Sequence, residues 1–164
     1  MKKRPNQLNR MVWIALLIAI GVIGSYLVVV PVGLIRAFPI QHFLNIITVV
    51  LVGPGASITM ATGTATLRLL LGTGSVLAFP GSIVGAAFVA IADRFTKKRI
   101  WLCISEVVGT GLVAPFLCIP VARIFLGSEL LVMGILPSFF LSSLFGSILA
   151  YVLIPVLQQR VEQR

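Results

Sequence analysis

Twelve residues from Leu71 to Ser82, LGTGSVLAFPGS, combine three glycines with Thr73, Ser75 and Ser82 in a chain that is 59% hydrophobic. Glycine-rich loops can cradle phosphate, but the nucleotide-binding pattern Gly-x-x-x-x-Gly-Lys-Ser/Thr sets a lysine on the phosphate. No Gly-Lys pair occurs in this sequence. Other polar side chains stand close by in type or spacing. Gln41, Asn45 and Thr48 fall on one helical face, with His42 three residues before Asn45. Glu106 and Thr110 share a face at i, i+4, and Arg68 precedes the quoted loop. Ser138, Ser142 and Ser143 form a third group. A single histidine excludes a metal cluster by local spacing and leaves no motif for a Ser/His/carboxylate triad. These groups suit hydrogen bonding to a small solute, with no cofactor and no catalysis. Each has a structural alternative: His42 capping a helix start, Arg68 snorkelling to head groups, the hydroxyls bonding back to their own helices.

Apolar segments must position these groups. The chain has 164 residues, 10% of them charged, and a mean hydropathy of +1.11. Soluble domains carry about 25% charged residues, and about 20 apolar residues span a bilayer as a helix. Nothing alternates in the manner of a membrane barrel strand. The expected class is all-α: one polytopic membrane domain over residues 1–164, with six spans near 11–30, 39–53, 56–71, 76–92, 100–121 and 135–157. Breaks fall at Pro31 and Gly33, Gly53-Pro54-Gly55, Gly72 to Ser75, Asp93 to Arg99 and Gly127 to Glu129. The first apolar run is longer than a signal peptide's core of roughly 7–15 residues and reads as a retained helix. Cys103 and Cys118, fifteen apart, read as small core residues.

The net charge of +9 is explained by topology rather than by nucleic acid. Ten of the 13 basic residues fall at the N-terminus, in the Arg94–Arg99 loop and at the C-terminus. Three, Arg36, Arg68 and Arg123, fall on the other side. That distribution predicts both termini inside and places the Gly72–Ser75 turn outside. On this scheme His42 and Asn45 lie shallow, near the outer face. Glu106, about 9 Å along its helix from residue 100, lies nearer the cytoplasmic side than the rest. A deep site would reach Glu106 and Thr110; a shallow one only Thr110. Small residues recur at i, i+4 in Ala15/Ala19, in Ser57/Ala61/Ala65 and in Ser142/Gly146/Ala150, a spacing that allows close helix packing. No inverted repeat and only one intramembrane acid are evident, so an autonomous ion-coupled engine is poorly supported.

Four strings carry a family resemblance. They are Phe38-Pro39-Ile40-Gln41-His42-x-x-Asn45, Arg68-x-Leu70-Leu71-Gly72-Thr73-Gly74-Ser75-x-Leu77-Ala78-Phe79-Pro80-Gly81-Ser82, Glu106-x-x-Gly109-Thr110-Gly111, and Pro137-x-Phe139-x-x-Ser142-Ser143. Together they closely resemble ThiW, a family of substrate-binding S components of energy-coupling factor (ECF) transporters. The resemblance implies uptake of the thiamine precursor hydroxyethylthiazole across the cell membrane. It implies two kinds of partner: a transmembrane coupling subunit (the T component) and two cytoplasmic ATPases. It implies docking through the Ala15-x-x-x-Ala19 motif, and a ligand site near the outer face. The residues expected at that site are Gln41, His42, Asn45, Arg68, Gly72, Thr73, Ser75, Phe79, Ser82, Glu106, Thr110 and Ser142, with Phe79 stacking on the ring. Pro31, Gly33 and Pro39 would frame a lid over 31–38. Leu69 stands where the family pattern has asparagine, which removes an amide; Ser75 stands where threonine is frequent, which keeps the hydroxyl. The alternatives are an S component for thiamine or its pyrimidine precursor, an autonomous proton-coupled transporter using Glu106, and a structural membrane subunit that binds nothing.

Overall fold

The structure, a computed structural model, describes residues 6–32, 35–127 and 132–162. Lys2, Lys3, Arg4, Arg164, Gly33 and Glu129 lie outside the described residues. Helix α1 (Gln7–Leu27) leads into two strands, β1 (Val30–Val32) and β2 (Ile35–Ala37). Helices α2 (Pro39–Leu51), α3 (Pro54–Leu70) and α4 (Ala78–Phe95) follow. Then α5 (Arg99–Glu106), a π-helical stretch (Val107–Val113) and α6 (Ala114–Leu126) continue one another as a single rod, and α7 (Val132–Glu162) closes the order. The all-α expectation holds for the body of the fold; the one addition is a short hairpin, in which β1 and β2 pair antiparallel with Pro31 opposite Arg36. The β-branched run before Pro31 favours extended backbone, and a two-strand ribbon tolerates proline at its edge.

Local chemistry explains the boundaries. Pro39 and Pro54 sit in the first turns of α2 and α3, where a missing N–H costs nothing. Gly53, at φ +118°, makes the turn between them. Arg94 and Arg68 occupy the last turns of their helices, where positive charge suits the dipole.

Four stretches are long and apolar enough to cross a membrane: Gln7–Leu27, Ala78–Phe95, Arg99–Leu126 and Gly134–Leu157. The protein is therefore a membrane protein. The expected second and third spans correspond to shorter helices, of 13 and 17 residues. Helix α2 is central, since nine of its 13 residues are buried. Its lower face joins Val89, Leu102, Cys103, Ala150 and Ile154 in the main apolar cluster, through Ile46, Ile47 and Val49. Leu44 reaches the other way, to Leu17 and Met60. Helix α1 is peripheral: only Leu17, Gly21 and Ser25 are buried along it, and Ala15 and Ala19 are exposed. The other two small-residue stripes are internal, with Ser57, Ala61, Ala65, Ser142, Gly146 and Ala150 all buried.

Helices α2 and α7 pack backbone to backbone at Gly146. A Cβ at Gly146 would lie 2.8 Å from both the Cβ of His42 and the amide nitrogen of Phe43. Backbone cannot yield as a side-chain tip does, so Gly146→Ala is expected to destabilise the protein by about 1–3 kcal/mol. Thermal unfolding in detergent reads this as a lowered Tm; an unchanged Tm would show that α7 can shift freely.

Candidate functional site

At one end of the bundle the N-terminal turns of α2 and α4, the end of α3, the 72–75 turn and the start of α7 surround a cavity of about 600 Å³. Its polar walls come from Arg36, Gln41, His42, Arg68, Thr73, Ser75, Ser82, Thr110, Ser138 and Ser142. Its aromatic walls are Phe38 and Phe139. The Arg94–Arg99 turn lies at the far end of α4, whose 18 residues rise about 27 Å.

Beneath the cavity, three side chains, two from α2 and one from the rod that carries Glu106, meet on one carboxyl oxygen. Glu106 is 0% exposed. Its Oε1 lies 2.8 Å from His42 Nδ1, 3.0 Å from Asn45 Nδ2 and 3.1 Å from Thr110 Oγ1. Asn45 Nδ2 also donates to the Ser82 carbonyl, at 3.1 Å. Thr110 Oγ1 lies 3.0 Å from the Gly81 carbonyl, so its single proton has two acceptors within reach. Gly85 leaves room for this junction, because a Cβ there would come within 2.5 Å of Glu106 Oε1 and 2.8 Å of Oε2. Glu106 ends α5 where the π-helical stretch begins, and such local widening recurs at functional sites.

The upper wall is organised by Arg68, which is 5% exposed. Its Nη1 donates to Gln41 Oε1 at 2.5 Å, and its Nη2 to the Thr73 carbonyl at 3.4 Å. The guanidinium lies 5.3 Å from the centre of the Phe38 ring, a cation–π distance. The Arg68 carbonyl in turn accepts from the amides of Thr73 and Gly74, at 2.9 and 3.0 Å. Gly72, at φ +69°, lets the chain turn back to make those bonds. Opposite, the hairpin is fastened to α7: the Phe38 amide donates to Ser142 Oγ at 2.9 Å, and Ser138 Oγ to the Arg36 carbonyl at 2.6 Å.

Of the expected site residues, Gln41, His42, Arg68, Gly72, Thr73, Ser75, Ser82, Thr110 and Ser142 line the cavity. Asn45 and Glu106 lie just beneath it, and Phe79 is not among the lining residues. Ala78, Gly81 and Ser82 share the cavity face of α4; one residue on from Ala78 is a rotation of about 100°, which turns Phe79 aside. The aromatic walls fall instead to Phe38 and Phe139, both within the quoted strings. Leu69 is 37% exposed and off the cavity, so the departure there removes nothing from its wall. The expected separation of Glu106 from the outer cluster is corrected by its 2.8 Å contact with His42. Depth counted from a helix end assumes that every segment has the length of a full span; α2, with 13 residues, is about 20 Å long, so its start need not be level with the ends of the longer helices.

Asn45→Ala removes a donor from both Glu106 and Ser82 in a dry interior. The expected cost is about 1–3 kcal/mol of stability. Ser75→Ala, at an exposed wall position with no side-chain hydrogen bond, is expected to stay within about 0.5 kcal/mol. Thermal melts of the two variants side by side check the contrast; equal losses would contradict it.

Three comparisons bear on this arrangement. Curated proteins give no match. Among solved structures, the S component of a bacterial ECF transporter has a similar fold, with a TM-score of 0.75 at 19% identity, covering 95% of this chain and 99% of that one. The family described as "Thiamine-precursor transporter protein (ThiW)" matches residues 11–160, nearly the whole sequence and every residue of the cavity wall. This protein, a membrane protein with an S-component fold, belongs to the ThiW family of thiamine-precursor transporters.

Proposed function

We propose that this protein is the substrate-binding subunit of an ECF-type importer in the plasma membrane, and that its ligand is hydroxyethylthiazole. One observation carries the reading. The four strings that mark the family, spread over more than a hundred positions, converge on a single cavity with aromatic and hydrogen-bonding walls. Small-molecule sites combine such an apolar body with a few placed polar groups. A thiazole ring is aromatic and neutral and suits Phe38 and Phe139. Its nitrogen accepts hydrogen bonds, and the hydroxyls of Thr73 and Ser75 on the cavity wall can donate them. The hydroxyl tail can bond to the imidazole of His42.

Six crossings with both termini inside put the cavity at the outer face, where a scavenged solute is captured. Ion-coupled transport through Glu106 is disfavoured, because that carboxyl is sealed below the cavity and its Oε1 is already engaged by His42, Asn45 and Thr110. Energy then comes from partners: a transmembrane coupling subunit and two cytoplasmic ATPases. Ala15 and Ala19, exposed one turn apart on peripheral α1, offer a flat strip against which another membrane helix can pack.

Equilibrium binding to the purified protein, with thiamine and its pyrimidine precursor as comparators, tests the ligand. Selective thiazole binding is expected; selective binding of a comparator would reassign the substrate. His42→Ala and Phe139→Ala are expected to weaken thiazole binding by about tenfold or more, while Phe79→Ala stays within about threefold. The double variant Ala15→Trp, Ala19→Trp is expected to keep binding in the isolated subunit and lose uptake in cells. Uptake that survived it would exclude α1 as the docking face.

A further inference from the structure

His42 is the only histidine in the chain. It stands between the buried carboxyl and the cavity. Its side chain is 9% exposed, it lines the cavity, and its Nδ1 is 2.8 Å from Glu106 Oε1. The other ring nitrogen, Nε2, has no hydrogen-bond partner among the described residues, and the ring it belongs to lines the cavity. Which nitrogen holds the proton decides what the ligand meets. A bare Nε2 accepts a hydrogen bond; a protonated one donates.

The surroundings of Glu106 decide it. Asn45 Nδ2 can only donate, and it points at the same Oε1. Thr110 presents its hydroxyl there too. Glu106 Oε2 has no partner. Ionised, the carboxyl accepts at Oε1. Protonated on its unpartnered Oε2, it still accepts at Oε1. In both states the hydrogen between Oε1 and Nδ1 belongs to the imidazole. In the neutral ring, a proton on Nδ1 leaves Nε2 bare, beside cavity walls that carry Arg36 and Arg68.

We infer that Glu106 is a positioning residue that holds His42 in the Nδ1–H tautomer, so that the site selects ligands presenting a hydrogen-bond donor to Nε2. The selection rests on the thiazole reading above and extends it: a free hydroxyl on the side chain is required, and its O-methyl ether is rejected. Capture of the ether leaves the buried lone pair of Nε2 facing an oxygen that cannot donate. A site built to bond a hydroxyl discriminates strongly against an analogue that lacks the proton.

Two measurements test this without any substitution. The full-length protein, labelled with 15N-histidine and purified in detergent, gives the spectrum of one imidazole only. The expected signature is a protonated Nδ1 and a bare Nε2. A proton on Nε2, in either the other tautomer or the imidazolium, would overturn the inference. Affinities for hydroxyethylthiazole and its O-methyl ether give the second readout, with the ether about tenfold weaker or worse. Equal affinities would overturn the selection while leaving the thiazole reading intact. If the alcohol itself fails to bind, the thiazole reading falls, and the selection that rests on it falls too. The spectrum of the empty protein then still decides the role of Glu106. Among variants, Glu106→Gln keeps an acceptor at Oε1 and is expected to retain the tautomer and the preference for alcohol over ether. Glu106→Leu removes the acceptor and is expected to mix the tautomers and collapse that preference toward unity. If Glu106→Leu does not fold, the wild-type spectrum and the ligand pair decide alone.

Discussion

A carboxyl group inside an apolar bundle cannot be solvated by water, so the protein must surround it with donors. Glu106 meets that demand with an imidazole and an amide from α2 and a hydroxyl from the π-helical stretch. The amide then reaches on to the Ser82 carbonyl, and the hydroxyl to that of Gly81, both on α4. The contacts are geometrically demanding, so they fix the rotation of α2 and the separation of α4 from α5. Gly85 follows from the same constraint, since any Cβ there would collide with the carboxyl. So does the place of His42, which cannot bond to Glu106 without turning its other edge to the cavity.

The cavity above inherits its shape from this junction. Its floor is the far side of the same polar cluster, and its walls are helix ends rather than helix middles. Helix ends carry the groups that line it: the 72–75 turn, the Phe38 segment and the first turns of α4 and α7. The long apolar helices below supply rigidity through close packing, as at Gly146 against the backbone of α2. The bundle below is therefore set by small residues and aliphatic contact, and the cavity walls by polar side chains with Phe38 and Phe139. Few exposed charges interrupt the outer faces, which present Val12, Leu16, Ile20 and Ile23 on α1 and Ile148 and Val152 on α7 to lipid.

The two cationic side chains at the cavity are held differently. Arg68 is buried and tied to Gln41, Thr73 and the Phe38 ring. Arg36 is exposed on β2, with its backbone fastened to α7 through Ser138. The first braces the wall; the second stands at the rim. That division links the hairpin to the site, since Phe38 both contacts Arg68 and receives its position from Ser142.

The sequence by itself determined the membrane class, the placement of the helices and the stock of polar groups. Hydropathy, proline and glycine act over neighbouring residues, and so they are legible along the chain. The boundaries read from Pro39, Gly53-Pro54 and the Gly72 turn fell close to the observed ones for this reason. Most of the expected cavity residues were legible too, because the family strings cluster at helix ends. Tertiary structure alone decided that Glu106 meets His42, 64 positions away, and that Phe38 and Phe139 face the cavity in place of Phe79. Those outcomes depend on helix rotation, tilt and length mismatch. A single residue step turns a side chain by about 100°, and a short helix displaces its ends along the membrane normal. Neither quantity is written in the spacing of residues along one segment; both are fixed when buried polar groups on different helices find one another.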